Sequence, residues 1–218
     1  MSILQWIKNK VKISKTFWRF RHLIDRKVMK NYYNNFNSER RNFYSEFTNL
    51  NKIKSVFEYG CASGPNLANI RENCESGIFL FGYDINPSAI KYAKKRFDQN
   101  TSIFVAQLRK REVFESLRVF GYKKFDLAIY DRILYLLTED EIRKHLLEFA
   151  DLFLFVIVDD FHNESFVDSN GAYHSKNYKK IFDDFGFDII IIDKSQHLSK
   201  ERFFDENAKR LVFKKRAF

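Results

Sequence analysis

The chain has 218 residues, 45% of them apolar, with two prolines, two cysteines and a formal net charge of +10. One full hydrophobic core fits that length and nothing demands a second domain core, while Cys61 and Cys74 make neither a disulfide framework nor a zinc spacing. No apolar run approaches the ~20 residues that span a bilayer as a helix, so the expectation is a soluble chain in a reducing cytoplasm.

Charge concentrates at the N-terminus. Residues 1 to 50 hold eleven Lys or Arg against three Asp or Glu, so they carry +8 and the rest of the chain is close to neutral. Within them Ile3, Leu4, Ile7, Val11, Phe17, Trp18, Leu23 and Ile24 recur at roughly helical spacing, interleaved with Lys8, Lys10, Lys12, Lys15, Arg19, Arg21, Arg26 and Lys27. That pattern is a basic amphipathic helical extension. Its opening, MSILQWIKNKVKISK, breaks the hydrophobics with lysine too often for a secretory leader. Three readings stand open. The apolar stripe packs on the rest of the chain and the lysines are solvated; or residues 1 to 30 lie on an anionic membrane, with Trp6, Phe17 and Trp18 at the headgroups; or the arm tracks nucleic-acid phosphates. Nucleic acid ranks last, because the chain beyond residue 50 lacks the matching basic excess. The following stretch, NYYNNFNSERRNFYSEF from Asn31 to Phe47, reads as an amphipathic helix packing Phe43 and Phe47 inward.

Lys54 to Arg71, KSVFEYGCASGPNLANIR, is the most informative segment. Ser55 to Tyr59 is β-branched and aromatic and predicts a strand. Gly60-Cys61-Ala62-Ser63-Gly64 is a turn of tiny side chains, which lets a ligand approach the backbone, and Pro65 suits the first position of a helix. Ile78 to Tyr83 is the next strand, and Asp84 follows where its carboxylate can accept the hydroxyls of a ribose lying across the strand ends. A nucleoside-type cofactor is the first expectation. A dinucleotide fingerprint, G-x-G-x-x-G, fails here because Ala62 and Pro65 stand at its second and third glycines.

What remains, Glu58-Tyr59-Gly60 with a second glycine at Gly64, resembles motif I of the class I S-adenosylmethionine-dependent methyltransferases, E/D-x-G-x-G-x-G, with Ala62 in place of the middle glycine. The zwitterionic amino-acid end of that cofactor needs no phosphate cradle and suits a carboxylate at Glu58. The resemblance extends from about Val56 to Phe213. Tyr83-Asp84-Ile85-Asn86-Pro87 looks like the family's second motif, and Phe125 to Leu136 is similar to its fourth-strand motif, where Asp131 takes the polar position near the methyl group. Many small-molecule members carry a histidine where this chain has Leu136, and the N-P-P-Y motif of enzymes acting on base amino groups is absent at Asp131-Arg132-Ile133-Leu134. The resemblance implies S-adenosyl-L-methionine held by Glu58, Gly60, Cys61, Ala62, Gly64, Asp84, Ile85, Gln107 and Asp131. It also allows Asn31 to Phe47 to act as a lid contributing Arg40 and Tyr33.

The predicted fold is α/β: a Rossmann-like, doubly wound, seven-stranded and mostly parallel sheet with an antiparallel last strand, plus the helical extension. Its strands fall near residues 55 to 59, 78 to 84, 102 to 106, 125 to 130, 152 to 158, 187 to 193 and 209 to 215. Helices begin near Pro65, Pro87, Thr138 and His174, with Thr138 and Glu141 spaced as a capping box. The expected organisation is an extension or lid over 1 to 50 and a catalytic domain over 51 to 218. Ligands bind at the carboxyl ends of such strands, which selects Asp131 and Tyr135 after the fourth strand and Asp159, Asp160 and His162 after the fifth. His162, Asp131 and Tyr135 are the catalytic candidates, His162 for its intrinsic pKa. Metal binding by Asp131, Asp159 and Asp160 is the weaker option, and no metal is assigned. The expected activity is methyl transfer to a small molecule or a sugar or glycan precursor, with peripheral contact to an anionic membrane through the N-terminus. The alternatives are a non-catalytic Rossmann-like binding module, an RNA-directed methyltransferase using the basic arm, and a nicotinamide-dependent oxidoreductase.

Overall fold

The computed structural model describes residues 28–164, 175–194 and 208–217. The chain order is α1 (Val28–Asn34), α2 (Glu39–Leu50), β1 (Ser55–Tyr59), α3 (Pro65–Asn73), β2 (Phe79–Tyr83), α4 (Pro87–Lys94), β3 (Ser102–Val105), α5 (Lys110–Val119), β4 (Phe125–Asp131), α6 (Glu139–Phe149), β5 (Phe153–Phe161), α7 (Tyr178–Asp183), β6 (Phe187–Lys194) and β7 (Ala208–Lys215). The seven strands run in the order β3-β2-β1-β4-β5-β7-β6. Strand positions match the sequence expectation within a residue or two, except at the end of β5. The basic stripe of residues 1–27, the expected helix start at His174 and the β6–β7 loop lie outside the described residues.

The described residues fall into two compact units, one of 28–129 with 151–154 and the other of 130–150 with 155–217. In the first, β1 and β2 pair in parallel from Ser55↔Phe79 to Tyr59↔Tyr83, and β2 pairs with β3 in the same sense. β1 and β2 are buried along nearly their whole length, as parallel strands covered on both faces are. Aromatic rings fill the core: Phe57 stacks on Phe81 with centroids 5.6 Å apart, and Phe79 stacks on Phe120 at 4.1 Å. Such offset stacking adds to the burial term for each ring. The start of β1 is fixed by Asp126, whose Oδ2 accepts the backbone N–H of Lys54 at 2.8 Å and of Ser55 at 3.0 Å. α4 opens on Asn86, whose side chain accepts from Ser88 and Ala89 N–H, a cap that satisfies donors the helix cannot pair itself. α2 buries Tyr44 and Phe47, and Asn49 Nδ2 reaches Asn73 O at 3.0 Å. The last turn of the region read as an extension thus shares the core of this unit.

In the second unit α6 begins with the capping box seen in the sequence: Thr138 and Glu141 each bond the other's backbone N–H. β7 lies antiparallel to both β5 and β6, as the lack of a crossover helix between the last two strands implies. β5 runs on through Asp159, Asp160 and Phe161, three residues past the expected end. The ladder sets Asp159 opposite Arg210 and Asp160 opposite Lys209, so the carboxylates that looked like a loop are partnered inside a strand.

Candidate active site

The elbow after β1 is built from backbone bonds. Gly60 N–H and Cys61 N–H both donate to Tyr83 O, at 2.7 and 2.8 Å, and Gly64 N–H donates to Cys61 O at 2.8 Å. Gly60 and Gly64 have φ of 78° and 83°, the left-handed region open to glycine. Ala62 sits there too, at φ 49°. A Cβ on Gly64 would also meet Phe97 at 3.0 Å, so this position is closed to larger residues on two counts. Cys61 is buried, and burial among the carboxylates of Glu58 and Asp84 pushes its thiol well above the usual range. It is a neutral filler of the elbow and not a nucleophile.

Asp84 clamps this elbow to the second strand. Its Oδ2 accepts Ala62 N–H and its Oδ1 accepts Asn86 N–H, each at 2.8 Å. Burial raises its pKa, and the two backbone donors pull the other way. An ionised carboxylate has about four acceptor sites, so these two bonds leave capacity for the paired hydroxyls of a ribose. Together with the tiny side chains along the elbow, that geometry fits an adenosine sugar over Asp84. Ile85 follows half-buried; Gln107 is exposed, and its Oε1 accepts from Arg109 Nη2 at 2.9 Å.

Glu58 is buried at the end of β1, and its Oε1 accepts from Asn66 Nδ2 at 2.7 Å. Asn66 Oδ1 in turn accepts from Arg41 Nε at 2.7 Å. Arg40, taken from sequence as the lid arginine, is half-buried, whereas its neighbour Arg41 is the one turned into the core. Tyr33 packs edge-on against Tyr92 and Phe97, with centroids at 5.8 and 6.2 Å, and its hydroxyl accepts from Arg71 Nη2 at 3.1 Å. It holds α1 to α3 and α4. Sequence reasoning also missed Gly82: a Cβ there would stand 2.6 Å from the Phe104 ring and 2.9 Å from Cys61 Sγ. A glycine inside an apolar strand is the signal that marks such a close approach.

The second unit holds the catalytic candidates. Asp131 ends β4 half-buried, and Arg132 follows with a left-handed φ of 55°. Asp159 is fully buried and takes Arg132 Nε at 3.2 Å and Arg210 Nη2 at 3.0 Å. Asp160, also fully buried, accepts three successive backbone N–H groups on Oδ2: Ile133 at 3.1 Å, Leu134 at 2.8 Å and Tyr135 at 3.2 Å. Burial pushes Asp160 up to about 6 against the pull of Arg132, Phe161 N–H, Lys176 and Tyr135 N–H. These two carboxylates are committed to arginines and to the turn after β4, and among the described residues no cluster of acidic, His and Cys groups could hold a metal. Tyr135, on that turn, meets the Phe161 ring edge-on at 5.3 Å. His162 is buried, its pKa lowered by burial, and its Nδ1 accepts Tyr178 N–H at 3.3 Å. A neutral ring accepting at Nδ1 carries its proton on Nε2, so taking up a proton at Nδ1 requires the bond to Tyr178 N–H to break.

Residues 50–155 match the family model of a methyltransferase domain. That span contains β1, the elbow, Asp84 and β4. Among solved structures the chain is similar to magnesium protoporphyrin IX methyltransferase from Synechocystis PCC 6803 with bound SAH, at TM-score 0.65 and 14% identity over 93% of this chain and 98% of that one. It is similar to the methyltransferase domain of bacterial CtHen1-C, at TM-score 0.60 and 15% identity over 84% and 100%. The plantazolicin methyltransferase BpumL in complex with SAH aligns at TM-score 0.59 and 14% identity over 98% of both chains. At such identities the likeness establishes the fold. No curated protein matches the sequence. The sheet order is that of a Rossmann-like fold, and the stretch carrying the elbow matches a methyltransferase domain over just under half of the chain.

Proposed function

We propose that this chain is an S-adenosylmethionine-dependent methyltransferase that transfers a methyl group in line to a small molecule or a sugar or glycan precursor. One observation carries the reading: Asp84 ties the glycine elbow to the end of β2 while keeping acceptor capacity. Support for the cofactor also comes from the neighbours crystallised with SAH. Asp84 would hold the ribose, the backbone from Gly60 to Gly64 would lie against the amino-acid end, and Glu58 would face its ammonium group. Arg40 and Tyr33, proposed from sequence, would act from the segment that precedes β1, and Ile85 and Gln107 beside the adenosine.

The sulfonium supplies an activated methyl group, so the protein chiefly aligns and desolvates the partners. A base is needed only where the acceptor holds its proton at neutral pH. For that role we propose Asp131, Tyr135 and His162, the last once its Nδ1 releases Tyr178 N–H. Asp160 fixes the backbone turn that carries Tyr135, and Lys176 Nζ holds Leu134 O of the same turn at 3.2 Å. A small-molecule or sugar acceptor is supported by the near-neutral charge of the chain beyond residue 50.

Calorimetric titration tests the assignment. The full-length chain should bind S-adenosylhomocysteine and not NADH. Binding of NADH alone would mark a nicotinamide enzyme, and binding of neither at high micromolar protein a non-catalytic module. Labelled methyl donor incubated with protein and a cell extract, then fractionated into lipid, glycan, RNA and small metabolites, identifies the acceptor. Label in the RNA fraction would contradict the acceptor class proposed.

A further inference from the structure

We infer that Arg41 is a positioning residue for the amino-acid end of the cofactor, acting through Asn66 on Glu58. The inference rests on reading the elbow as an S-adenosylmethionine site. Arg41, Asn66 and Glu58 are 7%, 2% and 2% exposed, and they form a chain: Arg41 Nε to Asn66 Oδ1, and Asn66 Nδ2 to Glu58 Oε1, each at 2.7 Å. A carboxamide can present either its oxygen or its NH2 group, and its neighbours decide which. A guanidinium only donates, so Arg41 draws the amide oxygen and turns the NH2 group onto the carboxylate. Without it, the amide loses the donor that anchors its oxygen, so its NH2 group is held less firmly on the Glu58 carboxylate.

Arg41 is itself held on the other side. Its Nη1 donates to Asn35 O and, at 3.3 Å, to Ser38 Oγ, the turn between α1 and α2. The guanidinium therefore spans from that turn to the amide, with a forked geometry a lysine does not reproduce. Glu58 lies two residues before Gly60, where an acidic group meets the ligand's ammonium. Two things follow: affinity for the ammonium-bearing ligand depends on a residue of α2 that does not touch it, and by reciprocity that ligand steadies the α1–α2 turn.

The test compares two ligands on the full-length chain: S-adenosylhomocysteine, and 5′-methylthioadenosine, which keeps the adenosine and lacks the amino acid. Arg41→Met and Asn66→Leu should each weaken S-adenosylhomocysteine about tenfold and leave 5′-methylthioadenosine within about twofold. The double variant should lose no more than the worse single one, as for two members of one chain. If Arg41→Met fails to fold, Asn66→Leu carries the same comparison. Equal weakening of both ligands would reduce Arg41 to a structural role, and unchanged S-adenosylhomocysteine binding in both variants would overturn the relay while leaving the cofactor assignment standing. A parent chain that binds neither ligand removes the assignment and the relay together.

Discussion

Ala62 takes a left-handed backbone at φ 49°, a conformation that costs an L-residue about 1 kcal/mol or more relative to glycine. Ala62→Gly relieves it, offset in part by the added freedom of the unfolded chain. The net gain should be about 0.5 kcal/mol in urea unfolding; an earlier urea midpoint would contradict a strained backbone at Ala62. His145 offers a second residue-scale test. It is buried, its Nε2 lies 2.8 Å from Tyr130 Oη, and burial lowers its pKa to about 3. The folded value lies below the unfolded one, near 6.5, so the stability tied to the neutral ring is present above that pH and is lost as pH falls towards 3. His145→Gln should therefore lose less stability than the parent on acidification below 6.5, the gap widening by about 1.4 kcal/mol per pH unit. Equal acid profiles would contradict the buried neutral ring. At this scale Gly60, Gly64 and Asp84 were legible in the sequence, because a positive φ and a strand-end carboxylate leave marks in residue type. Arg41 was not singled out over Arg40. Successive helix residues point about 100° apart, and only packing reveals which of two adjacent arginines faces inward.

The elements show the same division between what pattern records and what tertiary partners decide. Prolines at the first turns of α3 and α4 and the Thr138 capping box fix three helix starts locally, and the apolar run of β5 marks a covered strand, whereas the equally apolar run of β6 leaves Ile190 and Ile192 exposed. The end of β5 was misplaced because Asp159 and Asp160 look like loop residues until Arg210, 51 positions along the chain from Asp159, is brought across from β7. Gly82 belongs to this scale as well, since β2 can lie against Phe104 and Cys61 only without a side chain there. Gly82→Ala should lower stability by about 1–3 kcal/mol, the usual cost of overpacking, seen as an earlier urea midpoint. A neutral effect would show that the Phe104 ring moves aside at no cost.

For the whole molecule, strand count, the antiparallel terminal pair and the general fold class followed from alternation and run length, since parallel strands covered on both faces have few other ways to look. The packing of residues 39–50 into the first unit was legible in part: Phe47, read as inward-facing, is buried, and so are Tyr44 and Thr48, which the sequence reading did not single out. Among the described residues no helix is long and apolar enough to cross a membrane. For the basic stripe of residues 1 to 30 we propose peripheral contact with an anionic membrane. Full-length protein should sediment with anionic vesicles at low salt and release as salt rises, while a chain lacking residues 1 to 30 should stay in solution. Sedimentation of neither form would place the stripe against the protein itself, and salt-dependent binding to RNA alone would favour the nucleic-acid reading.

The proposed function turns on the Asp84 carboxylate holding an adenosine sugar beside the elbow it braces. A crystal of the full-length chain grown with S-adenosylhomocysteine measures this directly. Both ribose hydroxyls should lie within about 2.5–3.0 Å of the Asp84 oxygens, with the amino-acid end along Gly60 to Gly64. A ligand seated elsewhere, or a ribose with no contact to Asp84, would contradict it.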